Sequence, residues 1–251
     1  MRSSDKKPKL TSYDDIFSTE ESRQQEHIQW TSLRELHPFK NHPFRVLDDD
    51  RMMETVESVK AYGVLVPIIA RPSEDGYEIV SGHRRKRACE LAGLDEIPVI
   101  VRNLDDDEAV IIMVDSNLQR ENILPSERAK AYQMKLEAIK RQTARGRPVG
   151  DNSRQVGENY SVSKVAEDLG ESERQVQRFI RLNQLEQTLM DKVDSGKLAF
   201  TPAVELSYLK PEEQQWLDAA LEETQQTPSL SQAQRMKRES KQGTLSAESM
   251  M

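Results

Sequence analysis

The segment 143–158 constrains this chain most. It sets Gly146, Pro148, Gly150 and Gly157 among charged residues with no apolar periodicity, so no regular element is expected to cross it. It divides the 251 residues into stretches of different character. Before it, strand-like and helix-like patterns alternate; after it, every periodic run is helical. The expected organisation is a mobile arm over 1–27, a mixed α+β domain over 28–142, a linker over 143–158, an all-α domain over 159–221 and a polar tail over 222–251. The composition agrees, because 36% hydrophobic against 31% charged residues leaves room for compact domains only if solvated stretches dilute them. No apolar run approaches the roughly 18 residues that suggest a membrane span, and the opening Met1-Arg2-Ser3-Ser4-Asp5-Lys6-Lys7 leads into polar sequence rather than a leader. One cysteine, Cys89, forms no internal disulfide, and with four scattered His it builds no zinc site, so a reducing, cytoplasmic setting is expected.

In the first domain, Asp48-Asp49-Asp50 can cap a helix whose Met52, Val56 and Val59 recur at helical spacing, with Gly63 to end it. Strands are expected over 66–71 and 77–81, separated by a Pro-and-Asp-Gly turn, and over 97–102, where Pro98 suggests an edge or a strand start. Between them lies a short helix over 84–92. Asp105 to Asp107 cap another helix reaching Asp115, and Pro125 suits the first position of a long helix ending near Gln142.

Net charge is −7, yet the charge is uneven: residues 120–147 hold eight Lys or Arg against three acids. Ser81-Gly82-His83-Arg84-Arg85-Lys86-Arg87 falls where a strand turns into a helix. Glycine permits close backbone approach, free N–H groups at a helix start favour anions, and paired guanidinium groups fork onto phosphate oxygens. The same arginines fit as partners for Glu78, Glu90 and Asp95. A second polar run, Asp115-Ser116-Asn117-Leu118-Gln119-Arg120, follows a helix whose Val110, Met113 and Val114 belong to the core, and a plain interhelical loop accounts for it equally. Cys89 reads as a small buried hydrophobe rather than a reactive thiol.

In the second domain, 162–180 has the pattern of a helix-turn-helix: Ala166 where helices cross, Gly170 for the turn, Ser172 as cap, and Val165, Leu169, Val176 and Phe179 as the buried face. The remaining face carries Arg174, Gln175, Gln177, Arg178 and Arg181. Gln175, Gln177 and Arg178 are expected to read base edges; Arg174, Arg181 and the basic stretch 135–147 are expected to hold phosphates. Any helical hairpin needs a small residue and a glycine, and charge across 160–183 is balanced at four against four.

Together, Gly-His-Arg-Arg-Lys-Arg-Ala at 82–88 and Asn-Leu-Gln-Arg-Glu-Asn-Ile-Leu-Pro-Ser-Glu-Arg-Ala at 117–129 resemble the two signature boxes of the ParB partition-protein family. Val59-Lys60-Ala61-Tyr62-Gly63-Val64-Leu65-Val66-Pro67-Ile68 is similar to the family's helix, glycine and Pro-Ile strand entry, and the likeness runs to about residue 210. The resemblance implies an N-terminal ParB/sulfiredoxin-like domain that binds CTP, a helix-turn-helix for a centromere-like site on double-stranded DNA, a ParA-type ATPase partner, a homodimer and a nucleoid-associated location. It assigns Gly82, His83, Arg84, Arg85, Asn117, Gln119 and Arg120 to the nucleotide, and Asn117 to Mg²⁺ as well. Two positions depart from the family pattern, because His83 and Ser116 stand where glutamates are usual. CTP hydrolysis is therefore expected to be slow or absent. Sulfiredoxin places a nucleophilic cysteine where Gly82 stands, so its sulfur chemistry is not expected. The alternatives are a transcriptional regulator using the helix-turn-helix alone, and a nucleotide-hydrolysing or kinase-like enzyme of the same fold.

Overall fold

The computed structural model describes residues 27–120, 122–145 and 154–249. They fall into two compact units, one formed by 48–103 with the segment before Pro38, the other by 38–47 together with everything from Leu104 onward. The division thus lies near Asn103 and not at the expected linker. The physical reason is the long helix after Pro125, whose Ala129, Tyr132, Leu136 and Ile139 are buried in the core of the helical unit.

The first unit is a five-stranded mixed sheet with two helices. Its strands are β1 (Ile28–Ser32), β2 (Leu36–His37), β3 (Ile68–Ser73), β4 (Gly76–Ser81) and β5 (Glu96–Val101), in the order β1-β5-β3-β4-β2. The β3–β4 hairpin is antiparallel, and β3 runs parallel to β5 with Ile68 opposite Val99. Pro98 therefore sits in an interior strand, against expectation. It stands one residue before the first β3 pair, so no ladder N–H is required of it on that side. Helix α1 (Asp50–Tyr62) begins at Asp49, whose carboxylate accepts from the Met52 N–H at 2.9 Å, and buries Met52, Val56 and Val59. Helix α2 (His83–Ala92) buries Ala88 and Cys89. These side chains, with Ile68, Ala70, Ile79, Ile97 and Val99, are at most 6% exposed, and each large aliphatic one contributes about 1.5–3 kcal/mol.

The second unit is helical: α3 (Asp106–Leu118), α4 (Pro125–Arg145), α5 (Arg154–Leu169), α6 (Glu173–Leu182), α7 (Gln187–Asp194), α8 (Phe200–Leu206), α9 (Pro211–Thr224) and α10 (Leu230–Gln242). Helix α3 starts in a full capping box between Asp105 and Glu108. The expected linker is narrower than its sequence suggests, because α4 runs to Arg145 and α5 begins at Arg154; residues 146–153 lie outside the described residues, as do nearly all of the arm over 1–27. The expected polar tail contains α10, capped by Ser229, which buries Ala233, Met236 and Ser240 while Leu245 beyond it joins the same core. Among the described residues no helix is long and apolar enough to cross a membrane.

Candidate functional site

In the sheet unit, β4 delivers the chain to Gly82, which caps α2 at φ +110° without a side-chain hydrogen bond. A Cβ here would meet the Ile68 Cγ2 at 2.5 Å and an Arg85 nitrogen at 3.0 Å, so the turn leaves a cradle that only glycine permits. The first turn of α2 contains no acidic residue. Its N–H groups and helix dipole therefore favour an anion.

The four basic side chains after His83 are placed differently from one another. Arg84 donates to Asp49 at 3.1 Å, sharing the oxygen that caps α1. Arg87 donates to Asp48, and Lys86 and Arg87 both reach Glu90. Of the three acids expected as partners, only Glu90 is used; Glu78 pairs with Arg71. The arginine hydrogen bonds hold the carboxyls of Asp48 and Asp49 below the usual range. Arg85 is the exception. Its guanidinium donates to the carbonyls of Val66 at 2.6 Å and Pro67 at 2.5 Å, and burial lowers its pKa with no carboxylate beside it among the described residues. A largely buried, uncompensated guanidinium next to an open helix start is a place where bound phosphate relieves an unfavourable charge. His83 is the half-buried first residue of α2. Cys89 is fully buried and its thiol is pushed up by that burial, as expected of a packing residue.

In the helical unit, Ser116 and Asn117 lie in the last turn of α3 and both donate to the Met113 carbonyl, at 3.0 and 2.8 Å. Exposed Gln119 ends the helix, and Arg120 lies 3.5 Å from the Asn117 amide oxygen. Asp115 pairs with Lys135 at 2.6 Å, and Lys135, fully buried, also reaches Asp168 at 3.0 Å. Lys135 therefore cannot hold DNA phosphate, a correction to the expectation for 135–147. In the same stretch Arg141 and Arg145 pair with Asp107 and Asp105. Sequence counting could not find these neutralisations, whose partners lie 20 to 40 positions away.

The hairpin of α5 and α6 turns at Gly170, at φ +64°, and the Ser172 hydroxyl accepts from the Gln175 N–H at 3.2 Å. Val176, Phe179 and Leu182 anchor α6 in the core, leaving Arg174 and Gln177 exposed and Gln175 half-exposed. Arg178 is preset: it donates to Gln175 and Thr201 and lies 4.8 Å above the Phe200 ring. Arg181 turns to α8 and its following loop, donating to the Ser207 carbonyl at 2.6 Å and lying 4.0 Å from the Tyr208 ring centre.

A family description, the ParB N-terminal domain, matches residues 18–118. The chain is 31% identical over 184 residues to the chromosome-partitioning protein Spo0J of Thermus thermophilus, covering 73% of this chain and 61% of that one. It is also 31% identical over 186 residues to the probable chromosome-partitioning protein ParB of Rickettsia bellii, covering 74% and 57%. This chain belongs to the ParB family. It spans about three fifths of the length of these relatives. A C-terminally truncated ParB from Caulobacter crescentus, solved in complex with the centromeric parS site, superposes with a TM-score of 0.50 at 24% identity, covering 84% of this chain and 99% of that one. At that identity the likeness is one of fold: an α+β ParB domain followed by helices.

Proposed function

We propose that this ParB-family chain is a partition protein that binds a centromere-like site on double-stranded DNA through α6 and is switched by CTP. The observation that carries the reading is α6 itself. It is pinned by three buried side chains and an N-cap, and it presents Arg174, Gln175, Gln177 and Arg178 together, with Arg181 at its end. Glutamine and arginine are the side chains that pair bidentately with adenine and guanine in a major groove. Ser172 contributes to DNA by holding the first turn.

The nucleotide reading rests on the cradle at Gly82 and on Arg85, which suit a triphosphate; His83 and Arg84 lie between them. Asn117, Gln119 and Arg120 are proposed as nucleotide residues on the strength of their box. The donors do not fit a resident Mg²⁺. The Asn117 amide oxygen, the atom a cation would take, faces the Arg120 guanidinium at 3.5 Å, Ser116 offers a neutral hydroxyl in place of a carboxylate, and Asp115 is held by Lys135. Among the described residues no three His, Cys, Asp or Glu side chains come together as a metal site. A ParA-type ATPase partner and a homodimer follow from the family reading.

Selection of fragmented genomic DNA on the purified chain, followed by footprinting, tests the DNA assignment. One enriched sequence is expected, with Gln177→Ala losing about 1–3 kcal/mol on it and relaxing its specificity. Protection that survives loss of Gln175, Gln177 and Arg178 together would remove α6 from the groove.

A further inference from the structure

The helix α10 lies in a stretch whose composition promises only a polar tail, yet it is tied to the proposed DNA-reading helix. Tyr208 makes the tie. The Arg181 guanidinium of α6 lies 4.0 Å from its ring centre, and the Lys237 ammonium of α10 lies 3.6 Å from the same centre. Lys237 is fixed further by Glu205 at 2.7 Å, and Ala233, Met236 and Ser240 seat α10 in the core. Its rotation about its own axis is thereby set.

With that rotation fixed, Lys241 lies one turn beyond Lys237 on the same flank, and Gln234 and Arg238, themselves one turn apart, carry that surface up to the outward crest of α10, where Arg238 is also one turn from Arg235. Gln234, Arg238 and Lys241 are exposed. The acid of this helix, Glu239, lies on the opposite flank and faces Arg235 at 3.5 Å. The two flanks therefore differ: one is cationic and adjoins the end of α6, the other carries an internal ion pair. A solvated helix with no ligand needs no such asymmetry.

We propose that the Gln234, Arg238 and Lys241 flank of α10 is a second contact to DNA, gripping the phosphate backbone beside the groove that α6 enters. The inference rests on the α6 reading for its choice of partner. The flank offers long flexible cations and an amide, which hold phosphate without reading sequence. Lys237 acts as a positioning residue, since its charge is already matched by Glu205.

The test is binding of labelled cognate and scrambled duplexes by the full chain across a salt series, comparing wild type with Arg238→Gln/Lys241→Gln, Arg235→Gln and Gln177→Ala. All replaced positions are exposed, so circular dichroism should be unchanged. The double variant should bind both duplexes about tenfold more weakly at 0.1 M salt and lose about two units of salt slope, whereas Arg235→Gln should behave as wild type. Unchanged affinity and slope in the double variant would overturn the α10 contact, and so would an equal loss in Arg235→Gln, which would show a general charge effect. The outcome is separable from the α6 reading: Gln177→Ala alone decides that one, on the cognate duplex, and the scrambled duplex reports α10 even where no site is preferred.

Discussion

Gly82 and Arg85 show how far single residues could be read before a structure. A glycine between a strand and a run of arginines announces a phosphate-ready turn, and Gly82 does adopt a left-handed conformation that a Cβ would bring against Ile68. Gly82→Ala should destabilise the sheet unit by about 1–3 kcal/mol, measured by chemical denaturation. A midpoint equal to wild type would mean the turn relaxes freely. What sequence could not show is that the arginines differ, because Asp48 and Asp49 lie 35 to 39 positions from Arg84 and Arg87. Among the described residues, Arg85 is the one of the four basic side chains left without a carboxylate. Arg85→Ala should therefore weaken CTP binding at least tenfold, about 1.5–3 kcal/mol for a charge-assisted contact, whereas Lys86→Ala should change it little; calorimetry that reverses this order would remove Arg85 from the phosphate site. Cys89 supplies a check on the core beside it. Its buried, raised thiol should react with a disulfide reagent only as the unit unfolds. Rapid labelling in native buffer would mean that α2 opens locally.

At the scale of elements, capping chemistry and periodicity located most helices to within a few residues. Asp49, Asp105, Pro125 and Ser172 each mark a start. The elements that escaped are those whose burial involves few or small side chains. β2 has two residues, β1 leaves Ile28 and Trp30 exposed, and α10 buries Ala233, Met236 and Ser240, a face too small and too polar to register as apolar periodicity. Lys135 escaped for a different reason. Pattern reading assigns lysine to the surface, yet this one ties the end of α3 to the end of α5 through Asp115 and Asp168, joining the second box to the first helix of the hairpin. Lys135→Ala should cost about 3 kcal/mol, the lower end for an orphaned buried charge because Asp168 is partly in water, and thermal melting checks it. A loss below about 1 kcal/mol would show that the carboxylates find water instead.

For the whole molecule, the sequence placed the division at the glycine-rich stretch, while packing places it near Asn103, with Pro38–Leu47 belonging to the helical unit. Loop composition marks where helices stop; it does not reveal which core a long helix such as α4 will join. The second box therefore belongs to the same unit as the proposed DNA-reading helix, and the first box belongs to the other. Under the proposed function, in which CTP switches the chain, nucleotide occupancy and DNA binding are interdependent, and linkage requires the effect to be reciprocal. The most direct measurement is the affinity of the full chain for its selected DNA site as CTP is titrated, in wild type and in Arg85→Ala. A selected site whose affinity shifts at least fivefold with CTP, and not with ATP, GTP or UTP, and whose shift vanishes in Arg85→Ala, is the predicted result. DNA affinity indifferent to CTP, or a CTP response that persists in Arg85→Ala, would contradict it.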